Sequence, residues 1–141
     1  MRVTCNTNIF TDRKTPTGRI YTEKAINDLT HLFKEGTVLV LLEKPPMGVV
    51  MIDRSFGIAK GCRYSGNRLV VEVEVVDRPI CHDIIKCSKT IQKNILVELD
   101  MVVSVCDDPE KCNTENQWTP GMVYGVSGVR YLNVADIKEW D

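Results

Sequence analysis

Apolar residues in this chain follow a two-residue rhythm in most segments and a three-to-four-residue rhythm in others. Met1 to Phe10 alternates weakly, Val3, Cys5 and Ile9 against Thr4 and Asn6, which predicts a short strand. Thr11 to Gly18 is polar and carries Pro16, so it reads as a loop. After Tyr21 the rhythm changes. Thr22 is an N-cap, Glu23 suits the positive end of a helix dipole, and Ala25, Ile26, Leu29, Leu32 and Phe33 share one helical face. Gly36 is the expected stop. Thr37 to Glu43 is nearly all apolar, as a buried central strand is, and Lys44-Pro45-Pro46-Met47-Gly48 breaks it.

Val49 to Ile52 reads as a further short strand. Phe56–Arg63 and Arg68–Val76 flank Tyr64-Ser65-Gly66-Asn67, a hairpin turn. In the second strand Leu69, Val71, Val73 and Val75 oppose Val70, Glu72, Glu74 and Val76, the pattern of a half-solvated antiparallel strand. Pro79 suits the first turn of a second helix. Ile80, Ile84, Ile85, Ser88 and Ile91 recur at helical spacing there, and Asn94 ends it. Ile95 to Cys106 alternates again, Asp107 to Gly121 is a long polar loop, and Met122 to Tyr131 is another strand. Leu132 to Asp141 closes the domain as a strand end plus a turn of helix. These elements predict a single α+β domain over 1–141, mostly antiparallel and barrel-like, with two helices.

Composition agrees with a folded domain. The chain has 141 residues, 43% hydrophobic and 26% charged, enough to bury a core unaided. A formal net charge of -1 gives no electrostatic reason to expect nucleic acid as a partner. No stretch approaches a membrane span, and the opening residues lack a signal peptide's apolar region. Cytoplasm, or a particle assembled there, is the expected location, and no cofactor is expected.

Cys5, Cys62, Cys81, Cys87, Cys106 and Cys112 are widely spaced, with no C-x-x-C. Three readings stand: reduced thiols, a zinc site with unusual spacing, and disulfides formed late. Cys106 and Cys112 flank the polar loop and are the pair to watch. Trp118 in that loop and Trp140 near the end are candidate anchors for a partner surface. Glu72 and Glu74 lie on one strand face, where a solvated sheet surface explains them. The first and last strands are candidate edges for pairing with a neighbour.

The string Thr15-Pro16-Thr17-Gly18-Arg19-Ile20-Tyr21, entering a helix, resembles the N-terminal signature of the T4-type prohead protease family. The order of elements over about residues 2 to 106 runs parallel to that family, including the turn Val76-Asp77-Arg78-Pro79. The resemblance implies a serine protease fold that acts on scaffold and capsid proteins within an immature phage head. It also implies where the site should be. The family's catalytic histidine follows the buried strand, where this chain has Lys44. Its second histidine position is matched by Phe56, after Ser55. Its serine is matched by Ser104 in Val103-Ser104-Val105-Cys106, without the Arg-Gly that should follow.

A serine hydroxyl is a weak nucleophile without a base to take its proton. The chain has two histidines, His31 and His82, and neither is at the expected position. A Ser104–Lys44 dyad would need a buried lysine. The expectation is therefore a non-catalytic virion protein, a capsid decoration, cement or accessory subunit, assembled with other virion or capsid proteins. The alternatives are an active serine-type prohead protease and a small host-directed phage inhibitor.

Overall fold

In the computed structural model, which describes residues 1–10, 20–44, 52–99, 122–123, 126, 128–129 and 131–135, the alternating segments pair into a closed barrel. In chain order the strands are β1 (Arg2–Phe10), β2 (Ile20–Tyr21), β3 (Leu39–Leu41), β4 (Ser55–Ser65), β5 (Arg68–Val75), β6 (Leu96–Leu99), β7 (Met122–Val123) and β8 (Tyr131–Val134). The helices are α1 (Glu23–Lys34) and α2 (Pro79–Ile91). The barrel closes in the order β1-β5-β4-β3-β8-β6, and β2 pairs with β7 in a separate two-stranded sheet.

The α+β class with two helices is as expected, but the sheet is mixed. β1–β5, β3–β4, β4–β5 and β6–β8 are antiparallel, whereas β1–β6, β3–β8 and β2–β7 are parallel. Alternation reveals a strand but not its partner, and each parallel pair joins segments far apart in sequence. Closure also removes the expected edges. The N-terminal strand β1 lies between β5 and β6, and the C-terminal strand β8 lies between β3 and β6. Met122–Val123 and Tyr131–Val134 belong to different sheets rather than to one strand followed by its end. Ile52–Arg54 is a 3-10 turn, not a strand end.

One face of each barrel strand fills the core. Cys5 and Ile9 of β1, Val40 of β3, Phe56 and Ala59 of β4, Leu69, Val71 and Val73 of β5, Val97 of β6 and Leu132 of β8 are buried together. Thr7 is the polar member of this face. Its hydroxyl donates to the Leu69 carbonyl at 2.7 Å and accepts from the Ile9 N–H at 3.1 Å, so the irregularity in β1 leaves it satisfied. The β4–β5 hairpin turns through Gly66 at φ 65°, with no positive φ at Asn67, which fits a type II′ loop. Gly57 has a different reason to be glycine. A Cβ there would lie 2.4 Å from the Glu74 carbonyl oxygen, closer than two non-bonded atoms can sit.

Outward on β5, Glu72 accepts from Thr4 at 3.1 Å and pairs with Arg63 at 3.4 Å. Glu74 pairs with Arg2 at 3.1 Å and with the N-terminal ammonium at 3.3 Å. Each carboxylate is thus matched by partners on the neighbouring strands, as on a solvated sheet face.

Candidate functional site

Two of the positions singled out by the resemblance, Lys44 and Phe56, lie at one end of the barrel, where β3 ends, β4 begins and α2 starts. Leu41 is in register with Ser55, and the Leu42 N–H donates to the Arg54 carbonyl at 2.7 Å. The break predicted at Lys44 comes two residues earlier, since β3 ends at Leu41, and it places Glu43 and Lys44 beside the entry to β4. Glu43 forms an ion pair with Arg54. Arg78, just before α2, donates to the Asp53 and Ile52 carbonyls, and the Cys81 thiol lies 3.7 Å from the Ser55 carbonyl oxygen. These contacts tie the start of α2 to the start of β4.

Within this end, each candidate has a plain structural surrounding. Phe56 is wholly buried and belongs to the core. The ring at that position is packing material, and an imidazole there would be surrounded by hydrocarbon. The Ser55 hydroxyl donates to the Ile52 carbonyl at 2.8 Å and so closes the 3-10 turn. Lys44 is exposed, the opposite of the dry surroundings that make a lysine a base. Ser104, Trp118, Trp140, Cys106 and Cys112 lie outside the described residues.

β6 is described as far as Leu99. Leu99 is opposite Leu132, and Leu132 is opposite Val40. β6 runs antiparallel to β8, which runs parallel to β3. At Leu99 the chain therefore points toward the end where β3 begins, and Lys44 lies past the other end.

Neither histidine stands at a matched position. His31 is exposed on α1. His82, in the first turn of α2, is 2.7 Å from the Asp77 carboxylate. This histidine–carboxylate pair escaped the sequence reading. The five-residue separation is unremarkable, and only the start of the helix at Pro79 brings the two side chains together. His82 lines an open cavity of about 420 Å³ with Met1, Ile85, Lys86, Lys89 and Thr90. A base held by a carboxylate is two-thirds of a triad, but the hydroxyl in this groove is already used. Thr90 donates to the Lys86 carbonyl at 2.9 Å within the helix.

The described thiols divide by burial. Burial, with the Glu72 charge second, pushes the Cys5 thiol up to about 12. Burial also raises the Cys62 and Cys81 thiols, and Cys62 shares a 3.1 Å hydrogen bond with Thr30. All three are protonated and poor nucleophiles near neutral pH. Cys87 is exposed on α2. None of these four described cysteines is in a disulfide.

No family profile matches the chain, and no curated protein matches it in sequence. Among solved structures, the chain is similar to the bacteriophage T4 capsid assembly protease, gp21, with a TM-score of 0.54 at 13% identity. The match covers 94% of this chain and 80% of that one. The fold is that of a capsid assembly protease, reached at a sequence distance where site residues do not carry over.

Proposed function

We propose that this chain is a non-catalytic phage capsid protein built on an assembly-protease fold, serving as a decoration, cement or accessory subunit. The observation that carries the reading is the state of the β3–β4 end. On the resemblance to prohead proteases, histidines belong at the positions of Lys44 and Phe56. One is an exposed lysine and the other a core phenylalanine. The two histidines of the chain sit on α1 and α2 instead. Without a base, a serine at position 104 keeps its proton, and loss of one triad member costs orders of magnitude in rate. The partners in this reading are other virion or capsid proteins, and the location is the virion or the host cytoplasm.

The test is active-site labelling. Purified chain treated with a fluorophosphonate probe should gain no adduct and should leave scaffold and capsid precursors uncut. An adduct on Ser104, with cleavage that Ser104→Ala abolishes, would overturn the proposal. A fixed, high copy number in mature particles would support it, because a maturation protease acts transiently.

The second reading is an active serine-type assembly protease with a rebuilt site. One observation favours it: the structural neighbour is itself a protease. In that case Ser104 is the nucleophile, and the base is Lys44 or the Asp77-held His82. Ser104→Ala would then remove cleavage, and so would Lys44→Gln or His82→Gln, whichever replaces the base, with folding unchanged by circular dichroism.

A further inference from the structure

α2 carries two apolar faces, and the barrel uses only one. Cys81 and Ile85 are buried against the barrel. Roughly a quarter-turn away, Ile80, Ile84, Cys87 and Ile91 form a continuous stripe at steps of four, three and four residues. Ile80 is 53% exposed and Ile91 43%, Cys87 is exposed, and Ile84 is half-buried between the two faces. Steps of four and three are the rhythm of the seam between two packed helices. Isolated exposed isoleucines need no explanation, but a stripe four residues long on one helix does.

Charge decides what the stripe fits. Asp83 flanks it in the N-terminal half of α2, while Lys86 and Lys89 lie in the C-terminal half and Lys93 just beyond. Among the described residues, neither Asp83 nor Lys86 has an ion-pair partner within the chain. A parallel neighbour of the same sequence would set acid against acid and lysine against lysine. An antiparallel neighbour related by a twofold axis between Ile84 and Cys87 does the reverse. It brings Ile80 to Ile91, Ile84 to Cys87, and Asp83 toward Lys86 of the other copy. The helix is complementary to itself in that one arrangement.

We infer that the chain self-associates as a twofold dimer through antiparallel packing of α2 on the Ile80–Ile84–Cys87–Ile91 stripe. A 13-residue helix offers less than the roughly 800 Å² per partner of a stable interface. The dimer is accordingly weak and concentration-dependent, of the kind that a particle lattice would reinforce.

Sedimentation equilibrium of the full chain over about 1 to 200 µM tests this. The expected result is a monomer–dimer equilibrium with a micromolar dissociation constant. Ile80→Glu with Ile91→Glu should weaken it by about tenfold or more. Both positions are exposed, so circular dichroism and melting temperature should be unchanged. Asp83→Lys should weaken the dimer, and Asp83→Lys with Lys86→Asp should restore it. The two Cys87 thiols lie near the axis, so a short bismaleimide should join two wild-type chains and fail on Cys87→Ser. A monomer throughout this range overturns the inference, as does a dimer indifferent to the double glutamate variant. Asp83→Lys chains that associate as tightly as wild type would rule out the antiparallel arrangement.

Discussion

The two helices of this domain have similar lengths and similar apolar content, yet they do different things. α1 seats Ala25, Ile26, Leu29 and Phe33 in the core. Its first turn is closed by Thr22, whose hydroxyl accepts from the Ala25 N–H at 3.2 Å and donates to the Val123 carbonyl at 3.0 Å. α1 also holds the chain's distant end, because the Asp28 carboxylate accepts from the Val126 N–H at 3.0 Å. α2 buries only Cys81 and Ile85, has no side-chain cap, and ends in a left-handed Gln92. Helical periodicity tells how many apolar residues share a side. It does not tell whether that side is spent on the fold or kept for a neighbour.

Substitution on the apolar face of each helix should separate the two most. Phe33→Ala should cost about 3–5 kcal/mol in urea unfolding, as deletion of a buried aromatic does. Ile91→Ala should stay within about 0.5 kcal/mol, being a surface change. Equal costs would mean that α2 is as deep in the core as α1, and the contrast would fail.

The caps should differ by less. Thr22→Ala removes the side-chain acceptor that caps the start of α1 and should cost about 1 kcal/mol. At the other helix's end, Gln92→Gly should stabilise by about 0.5–1 kcal/mol, because Gln92 holds φ 58° and glycine accepts that conformation without strain. A loss of stability there would show that the Gln92 side chain contributes more than its backbone costs.

The smallest effect concerns acid. The Val126 N–H holds the Asp28 carboxyl below its ordinary range against the opposing effect of burial, and Lys24 and His31 add smaller shares in the same direction as Val126. A depressed folded-state value means that the stabilisation is complete above the unfolded-state value near 4 and is lost as pH falls below it. Asp28→Asn should flatten the stability curve on that acid limb and leave its slope above pH 5 unchanged. A full acid limb in the variant would assign it to other carboxylates, such as Glu74, which its two cationic neighbours also hold low.

Local signals carried much of the fold. Thr22, the spacing of Ala25 to Phe33 and Gly36 placed α1 within a residue or two, because cap and periodicity act within one turn. The hairpin of β4 and β5 was legible for the same reason, since its loop and register are set by adjacent residues. At α2 the reading was right in part: Ile85 is buried and Ile84 packs on the core, but Ile80 and Ile91 are exposed and the buried Cys81 was passed over. Ile80 and Ile91 looked like core, and Cys81 carried little weight as a hydrophobe. The stop expected at Asn94 falls at Gln92, where nothing in the residue type announces a left-handed turn.

The candidate site divides in the same way. Lys44 and Phe56 could be compared with expected histidines from sequence, but their meaning could not. Whether a lysine after a strand is buried, and whether a phenylalanine fills a core or faces a groove, depends on what the rest of the chain packs against it. The Asp77–His82 pair was hidden for a related reason, since it exists only because α2 begins between those two residues.

By itself the sequence determined the class of each segment: strands by alternation, helices by spacing and caps, turns by glycine and proline. Each depends on forces that act over a few residues. Tertiary structure alone decided the parallel pairings that close the barrel, the loss of both expected edges, and which face of α2 is left over. Those outcomes are set by contacts between residues tens of positions apart, where no local rhythm records the partner.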